Sequence, residues 1–335
     1  MRRVISSIVT MSESYPEHAI EVTRVPRTTN ASLVRRLVRE SRGHDAAIVF
    51  GAVGFRDAYS DLVAAAILGS RRQTVLVTEC VWEPTSRSFA RLVGFRTPLS
   101  RDASPPPRRA FRAALKLIDS PTVHYCVEST DELASFPETW DVDPARVHFT
   151  PFCYWVDDTQ PAPATSGSVF AGGDSLRDYR ALLAAAPSID AKIVIGTHLP
   201  LTAVPANVEA GPLPSSKFDD EFRAASVVVV PLVASSLRTA GQQTYLSAMA
   251  LGKPLVVTDS PGVRDYVRDR ETGLIVPPDD AAELAAAVRW LLDPANAAAV
   301  DAMTQRAREV ARSTYSRDAY FARLFALVND IVGAR

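Results

Sequence analysis

Between Ser226 and Pro278 the chain reads SVVVVPLVASSLRTAGQQTYLSAMALGKPLVVTDSPGVRDYVRDRETGLIVPP. The β-branched run Val227 to Val230 is too short for a helix and stops at Pro231, so it reads as a buried strand. A Ser/Thr/Gly-rich loop follows, and the spacing then predicts a helix over 242–251. Gly252 stands at the helix stop, Pro254 lies just beyond, and Leu255 to Val257 form a second β-branched run. Strand, loop, helix, strand in this order is the grammar of a parallel α/β sheet. It also sets the N–H groups of a helix start at a strand's carboxyl edge. Open α/β sheets bind ligands there, and a phosphate would be held there.

The same alternation fills the chain. In the first half we expect strands over 4–9, 45–51, 74–78, 122–127 and 146–152, and helices over 33–41, 58–68, 108–118 and 131–136. Thr130 or Asp131 should cap the last of these helices, and the approach to Pro26 reads as irregular. The Pro/Ala/Ser-rich stretch 157–168 reads as a linker between residues 1–156 and 169–335. Beyond it come a strand over 169–173, a helix over 176–186, a strand over 192–195, and, after the segment above, helices over 281–292, 296–315 and 318–332.

A chain of 335 residues exceeds what one core usually serves, so two domains are expected. No apolar run is long enough to span a bilayer, and Met1-Arg2-Arg3 leads into no convincing signal peptide. Cys80, Cys126 and Cys153 are widely separated without CxxC spacing, which points to reduced thiols in a cytoplasmic protein. A net charge of −1 argues against nucleic-acid binding. Arginines do cluster locally, at Arg35, Arg36, Arg39 and Arg42, and at Arg101, Arg108, Arg109 and Arg112 with Lys116. They read either as solvated helix faces or as a surface for peripheral contact with an anionic membrane, at its inner face, or with an anionic acceptor.

The segment also resembles a known family. Pro231, the run Ser247 to Pro254, Thr258-Asp259, Gly262, Asp265-Tyr266 and Gly273 to Pro278 are similar to the donor-binding half of GT-B glycosyltransferases, and closest to their retaining family 4. The resemblance implies an α/β fold of two Rossmann-like domains, with mostly parallel sheets facing a central cleft and a last helix that crosses back to the first domain. It implies transfer of a sugar from a nucleotide-diphosphate sugar to a hydroxyl acceptor (glycan, lipid-linked or small-molecule), with no cofactor, no metal and retention of configuration. A first domain of this family usually opens with a strand and a glycine-rich loop. Ser6 to Ser14 holds no glycine, so the first domain is expected to be shortened.

Site residues follow from both readings. Gly172 and Gly173 form a strand-to-helix turn that lets backbone approach a ligand, and Arg177 would grip a diphosphate. The alternative for Arg177 is a salt bridge with Asp174 or Asp178. In the family a Glu, seven residues and a second Glu contact the donor sugar and ribose; here those positions are Thr239 and Ser247, so both carboxylates are missing. The amides of Gly241, Gln242 and Gln243 remain for phosphate. Thr197 and His198 leave a strand towards the expected cleft, as contacts for the base or sugar. Glu79 ends a first-domain strand where relatives often place a His, and a desolvated carboxyl there would take the acceptor's proton. Trp82 reads as core or as an acceptor platform. Asp141-Val142-Asp143 mimics a metal signature but precedes Pro144, which favours a turn, and the five histidines form no metal set. The missing carboxylates leave inversion open, and the alternative is a non-catalytic GT-B-like partner subunit.

Overall fold

The computed structural model describes residues 1–26, 29–51, 58–82, 115–160, 165–234 and 236–334. They divide into two compact units, Met1–Pro151 with Tyr320–Arg335, and Phe152–Ala319.

The first unit holds strands β1 (Arg2–Ser6), β2 (Ser14–Tyr15), β3 (Ile20–Arg24), β4 (Ala46–Phe50), β5 (Thr74–Thr78), β6 (Val123–Val127) and β7 (Val147–Phe149). Their order is β2-β3-β1-β4-β5-β6-β7, and every pairing is parallel except β2 with β3. The central strands β5 and β6 are buried at every residue, as near-continuous apolar runs demand. Helices α1 (Asn30–Glu40), α2 (Ala58–Ser70) and α3 (Thr130–Trp140) connect them.

Three sequence expectations change. Strand β3 falls in the stretch read as irregular; only Ile20 and Val22 are buried, so the strand carries little apolar signal. The cap of α3 is Ser129, one residue earlier than expected. Its Oγ accepts from the Glu132 N–H at 3.3 Å and donates to Glu132 Oε2 at 2.9 Å, so the cap and the third helical residue hold each other. The strand expected over 146–152 shrinks to β7 because Pro144–Arg146 forms a 3₁₀ turn capped by Asp143. Asp141 ends α3 in a left-handed conformation, so Asp141 and Asp143 both serve turns.

Of the expected helix over 108–118, residues 108–114 lie outside the described residues, as do Arg101, Arg108, Arg109 and Arg112. Lys116 pairs with Asp141 at 3.1 Å. On α1, Arg36 and Arg39 both pair with Glu40, at 3.2 and 3.1 Å, which offsets part of that helix's positive charge. Trp82 is core: its ring lies 5.5–5.9 Å from those of Tyr125, Phe136 and Trp140, and its Nε1 donates to the Gly51 carbonyl.

The second unit has six strands, all parallel, in the order β10-β9-β8-β11-β12-β13. They are β8 (Val169–Gly172), β9 (Ile193–Gly196), β10 (Val208–Gly211), β11 (Val227–Val230), β12 (Leu255–Thr258) and β13 (Leu274–Val276). Its helices are α4 (Arg180–Ala185), α5 (Ser215–Ala224), α6 (Gln242–Ala250), α7 (Ala281–Leu292) and α8 (Ala297–Thr314), and the chain then enters α9 (Arg317–Gly333), which belongs to the first unit from Tyr320 onward. From β8 the chain winds outward to β9 and β10. From β11 it winds the other way to β12 and β13. The order therefore reverses between β8 and β11, and the loops leaving these two strands part at the sheet's switch point. Helix α6 packs behind them with seven of its nine residues buried, which is why its sequence lacks a polar face.

The helix expected over 176–186 begins only at Arg180. Leu176 takes a left-handed conformation with φ 51°, Arg177 bridges Leu232 in antiparallel fashion, and the Asp178 N–H donates to the Pro231 carbonyl at 3.1 Å. These contacts hold the residues between Leu176 and Tyr179 out of the helix. Of the stretch read as a linker, residues 161–164 lie outside the described residues. Asp158, within it, accepts from Arg312 Nε at 2.7 Å.

Residues Tyr320–Arg335 group with the first unit. Tyr320, Phe321, Leu324, Phe325 and Val328 of α9 are buried. The Phe325 ring lies 4.5 Å from that of Tyr15, and Asn329 Nδ2 donates to the His18 carbonyl at 3.3 Å. Among the described residues no helix is long and apolar enough to cross a membrane.

Candidate functional site

The site grows from the exit of β8. A side chain at Gly172 would meet the Phe218 ring at 2.5 Å, and one at Gly173 would press the Arg177 guanidinium at 3.1–3.3 Å. Gly173 also has φ +108°, open to glycine alone at low cost. The turn thus folds Arg177 back over the strand end. Its Nε donates to the Gly172 carbonyl at 3.1 Å, its Nη1 to the Ser175 carbonyl at 2.9 Å and its Nη2 to Thr244 Oγ1 at 2.9 Å. All three acceptors are neutral. Among the described residues Arg177 forms no ion pair, and the alternative partners are engaged elsewhere: Asp178 with Arg180, Asp174 with His198. Burial pulls the Arg177 pKa down from its ordinary value, yet a guanidinium stays charged in a protein. The result is a desolvated cation held by dipoles, with no directly paired carboxylate among the described residues and with the charge of Asp174 acting only from a distance.

The exit of β11 supplies the facing wall. Gly241 caps α6 with φ 85°, in the left-handed region, and no side chain caps the helix. Its carbonyl accepts from the N–H groups of Thr244 at 2.9 Å and Tyr245 at 3.0 Å. The Gln243 N–H has no acceptor among the described residues. A side chain on Gly241 would meet Leu232 and Val230 at 3.1 Å and Arg177 Nη1 at 3.5 Å. Gly172, Gly173, Arg177, Gly241 and the first turn of α6, with Gln242 and Gln243, are therefore brought together. A desolvated guanidinium beside an uncapped helix start is suited to an anion by charge and by dipole.

The exit of β9 adds Thr197 and His198, organised by Asp174. Its Oδ1 accepts from Thr197 Oγ1 at 2.7 Å and from the His198 N–H at 2.8 Å, and its Oδ2 faces His198 Nδ1 at 3.0 Å. Burial works against ionisation of Asp174, but hydrogen bonds from Thr197, the His198 amide and the His198 ring hold its carboxyl below the ordinary carboxylate range. A carboxylate acceptor fixes His198 Nδ1 as the donor. The roles of Asp174, named only as an alternative partner for Arg177, and of Thr244 escaped the sequence reading. Thr244 had no signal, since its role depends on a neighbour 67 positions away; Asp174, directly after the glycine pair, had one.

The two positions that carry glutamates in the resembled family lie deeper. Thr239 is fully buried, and its Oγ1 has no hydrogen-bond partner among the described residues. Ser247 is buried within α6. Glu79, in the first unit, directly follows β5 in a left-handed conformation with φ 54°, strained for a residue other than glycine. Burial pushes its carboxyl up to about 8, and it has no hydrogen-bond partner among the described residues. Among the described residues no group of three or more His, Cys, Asp and Glu is placed to hold a metal.

The fold defined by these two α/β units is that of GT-B glycosyltransferases. Structures of this fold align along almost the whole chain. Sucrose-phosphate synthase from Thermosynechococcus elongatus aligns over 99% of this chain and 89% of its own, with a TM-score of 0.60 and 17% identity. HepE of Anabaena, solved in complex with UDP, aligns over 100% and 99%, with a TM-score of 0.61 and 12% identity. WaaG, a glycosyltransferase involved in lipopolysaccharide biosynthesis, aligns over 99% and 91%, with a TM-score of 0.56 and 15% identity.

At the level of sequence, residues 179–294 match the family profile Glycosyl transferases group 1, and the matched stretch contains the 226–278 segment from which the resemblance was read. A curated relative, D-inositol 3-phosphate glycosyltransferase of Acidothermus cellulolyticus, is 36% identical over 89 residues. That match spans 27% of this chain and only 19% of the relative.

Proposed function

We propose that the chain is a glycosyltransferase that moves a sugar from a nucleoside-diphosphate sugar to a hydroxyl acceptor without a metal. The observation that carries this reading is the Arg177 guanidinium, held by neutral acceptors between the Gly172-Gly173 turn and the uncapped start of α6, at the switch point of the second sheet and directly ahead of the group 1 match over residues 179–294. Departure of the sugar leaves negative charge on the diphosphate. Arg177 and the α6 amides are the groups suited to stabilise it, replacing a metal. The Asp174-ordered pair Thr197 and His198 would meet the nucleoside or sugar. Crystals of HepE with UDP-glucose support a nucleotide sugar as the donor class.

Glu79 is the proposed base. A strained backbone and a desolvated carboxyl at a strand end fit a group held for proton transfer. The group 1 match makes retention of configuration the expected outcome, readable from the anomeric proton of the first product. Free, buried cysteines fit a reducing, cytoplasmic setting. Exposed Arg35, Arg39 and Arg42 fit peripheral contact with anionic lipid, which flotation with anionic vesicles would test.

The deciding experiment is a donor screen. UDP-, GDP-, dTDP- and ADP-sugars are incubated with the protein, and release of nucleoside diphosphate is followed with thermal stabilisation by each nucleotide. One nucleoside diphosphate should raise Tm, since a ligand bound only to the native state stabilises it. Absence of both binding and release across all four would refute the reading.

A further inference from the structure

A second arginine stands at the same place. Arg238, in the connection between β11 and α6, donates from Nη2 to Ser175 Oγ at 2.9 Å and from Nη1 to the Thr239 carbonyl at 3.1 Å. Arg177 holds the carbonyl of that same Ser175. Two guanidinium groups, carried by the loops leaving adjacent strands β8 and β11, therefore converge on one residue. Among the described residues neither forms an ion pair. Arg238 Nε is buried and has no hydrogen-bond partner among the described residues. Asp174, the carboxylate directly before Ser175, is turned to Thr197 and His198.

We propose that Arg238 is the second cation of a diphosphate site, closing with Arg177 a two-arginine clamp. The proposal rests on the nucleoside-diphosphate reading above and assigns it a residue. Like charges repel, and more strongly where water is excluded, so two guanidinium groups drawn to one serine are stabilised by an anion shared between them. Burial is the main cause that depresses the Arg177 pKa; the charge of Arg238 adds to it, while Tyr179, Tyr245 and Asp174 work the other way. A diphosphate matches such a pair better than a monophosphate, because each guanidinium can take a phosphate of its own through paired N–H groups. The unbonded Gln243 amide offers a further donor beside them. Arg238 also explains how a loop without the family's first glutamate would keep hold of a donor. The grip falls on the diphosphate rather than on the sugar.

The rival role for Arg238 is to brace the loop through Ser175 and the Thr239 carbonyl. Arg238→Gln removes the charge but, ending two bonds short of the Nη atoms, also loosens the brace; Ser175→Ala, which removes the Oγ acceptor and leaves the charge, is measured beside it so that the two roles separate. Affinities of UDP, GDP, dTDP and ADP, each beside its monophosphate, and of inorganic pyrophosphate would be measured by calorimetry for wild type, Arg238→Gln, Ser175→Ala, Arg238→Lys and Arg177→Ala, with Tm recorded for each. The clamp predicts that Arg238→Gln loses about tenfold or more in affinity for pyrophosphate and for the preferred diphosphate, that the diphosphate-to-monophosphate ratio falls several-fold, and that Arg238→Lys recovers part of the loss. If Arg238→Gln binds diphosphate as wild type does while Arg177→Ala does not, Arg238 is only a brace and the nucleotide reading stands. An equal loss for diphosphate and monophosphate, with a lowered Tm, also makes it a brace. Should wild type bind none of the four diphosphates, the nucleotide reading falls and takes the clamp with it.

Discussion

Replacing Glu79 with Gln removes a carboxyl that the fold keeps protonated well above its ordinary range. The usual value is 4.5 and burial pushes it up to about 8. Between these two values the folded chain keeps a proton that the unfolded chain has released. The unfolded state then binds fewer protons, so stability falls as pH rises through this window and levels off above about 8. A gap of about 3.5 pH units at about 1.4 kcal/mol each gives an upper bound of about 5 kcal/mol. Glu79 is partly exposed, and water screens its charge, so about 2 kcal/mol is the working figure. Glu79→Gln stays neutral throughout. Urea unfolding at intervals from pH 4.5 to 9 should show the two proteins close together at the acid end and the variant more stable by about 2 kcal/mol at the alkaline end. If Glu79 is the base, the wild-type rate should climb towards pH 8, and the variant should lose about a hundredfold in turnover together with that acidic limb. A stability difference that does not change with pH would refute the protonated carboxyl. Near-normal turnover would remove Glu79 from catalysis.

Arg177→Ala should weaken nucleoside-diphosphate binding by roughly 1.5–3 kcal/mol, the scale of a charged hydrogen-bonded contact, as read by calorimetry. Gly241→Val should impair binding and also lower stability by roughly 1–3 kcal/mol in urea titrations, because a β-branched residue is forced to φ 85° against Leu232 and Val230. Asp174→Asn should leave diphosphate affinity within about threefold but loosen Thr197 and His198, read as broadened His198 ring signals in NMR.

The parts of the fold that were legible are those whose residues state their own environment. β11 and β12 are buried on both faces, so Val227 to Val230 and Leu255 to Val257 announce them, and the crossover helix between them follows from strand parallelism. Strands at or next to a sheet edge do not announce themselves. β3 and β10 bury few side chains, and the acidic Glu21 and Glu209 point outward. The start of α4 was misplaced because the bridge from Arg177 to Leu232 joins residues far apart in sequence, which no local pattern carries.

The site followed the same division. Glycines that a turn requires, Gly173 and Gly241, were readable one by one, because only their backbone freedom explains them there. The grip of Arg177 on Thr244, the shared hold on Ser175 and the ordering of His198 by Asp174 arise only when three strand ends meet. Thr239 was marked by the family pattern as a lost glutamate, but its complete burial with an unbonded hydroxyl was not.

The aromatic contact between Tyr15 and Phe325, and the hydrogen bond from Asn329 to the His18 carbonyl across 311 positions, set an order on biosynthesis. Domains generally fold as units during synthesis, the N-terminal one first. Here the first unit emerges early but lacks Tyr320, Phe321, Leu324 and Phe325 until the whole second unit has been translated. The second sheet, contiguous from Phe152 to Ala319, can close in the meantime. The unit begun first is thus the last to be finished, and its apolar groove around Tyr15 waits on the ribosome for a helix still to be made.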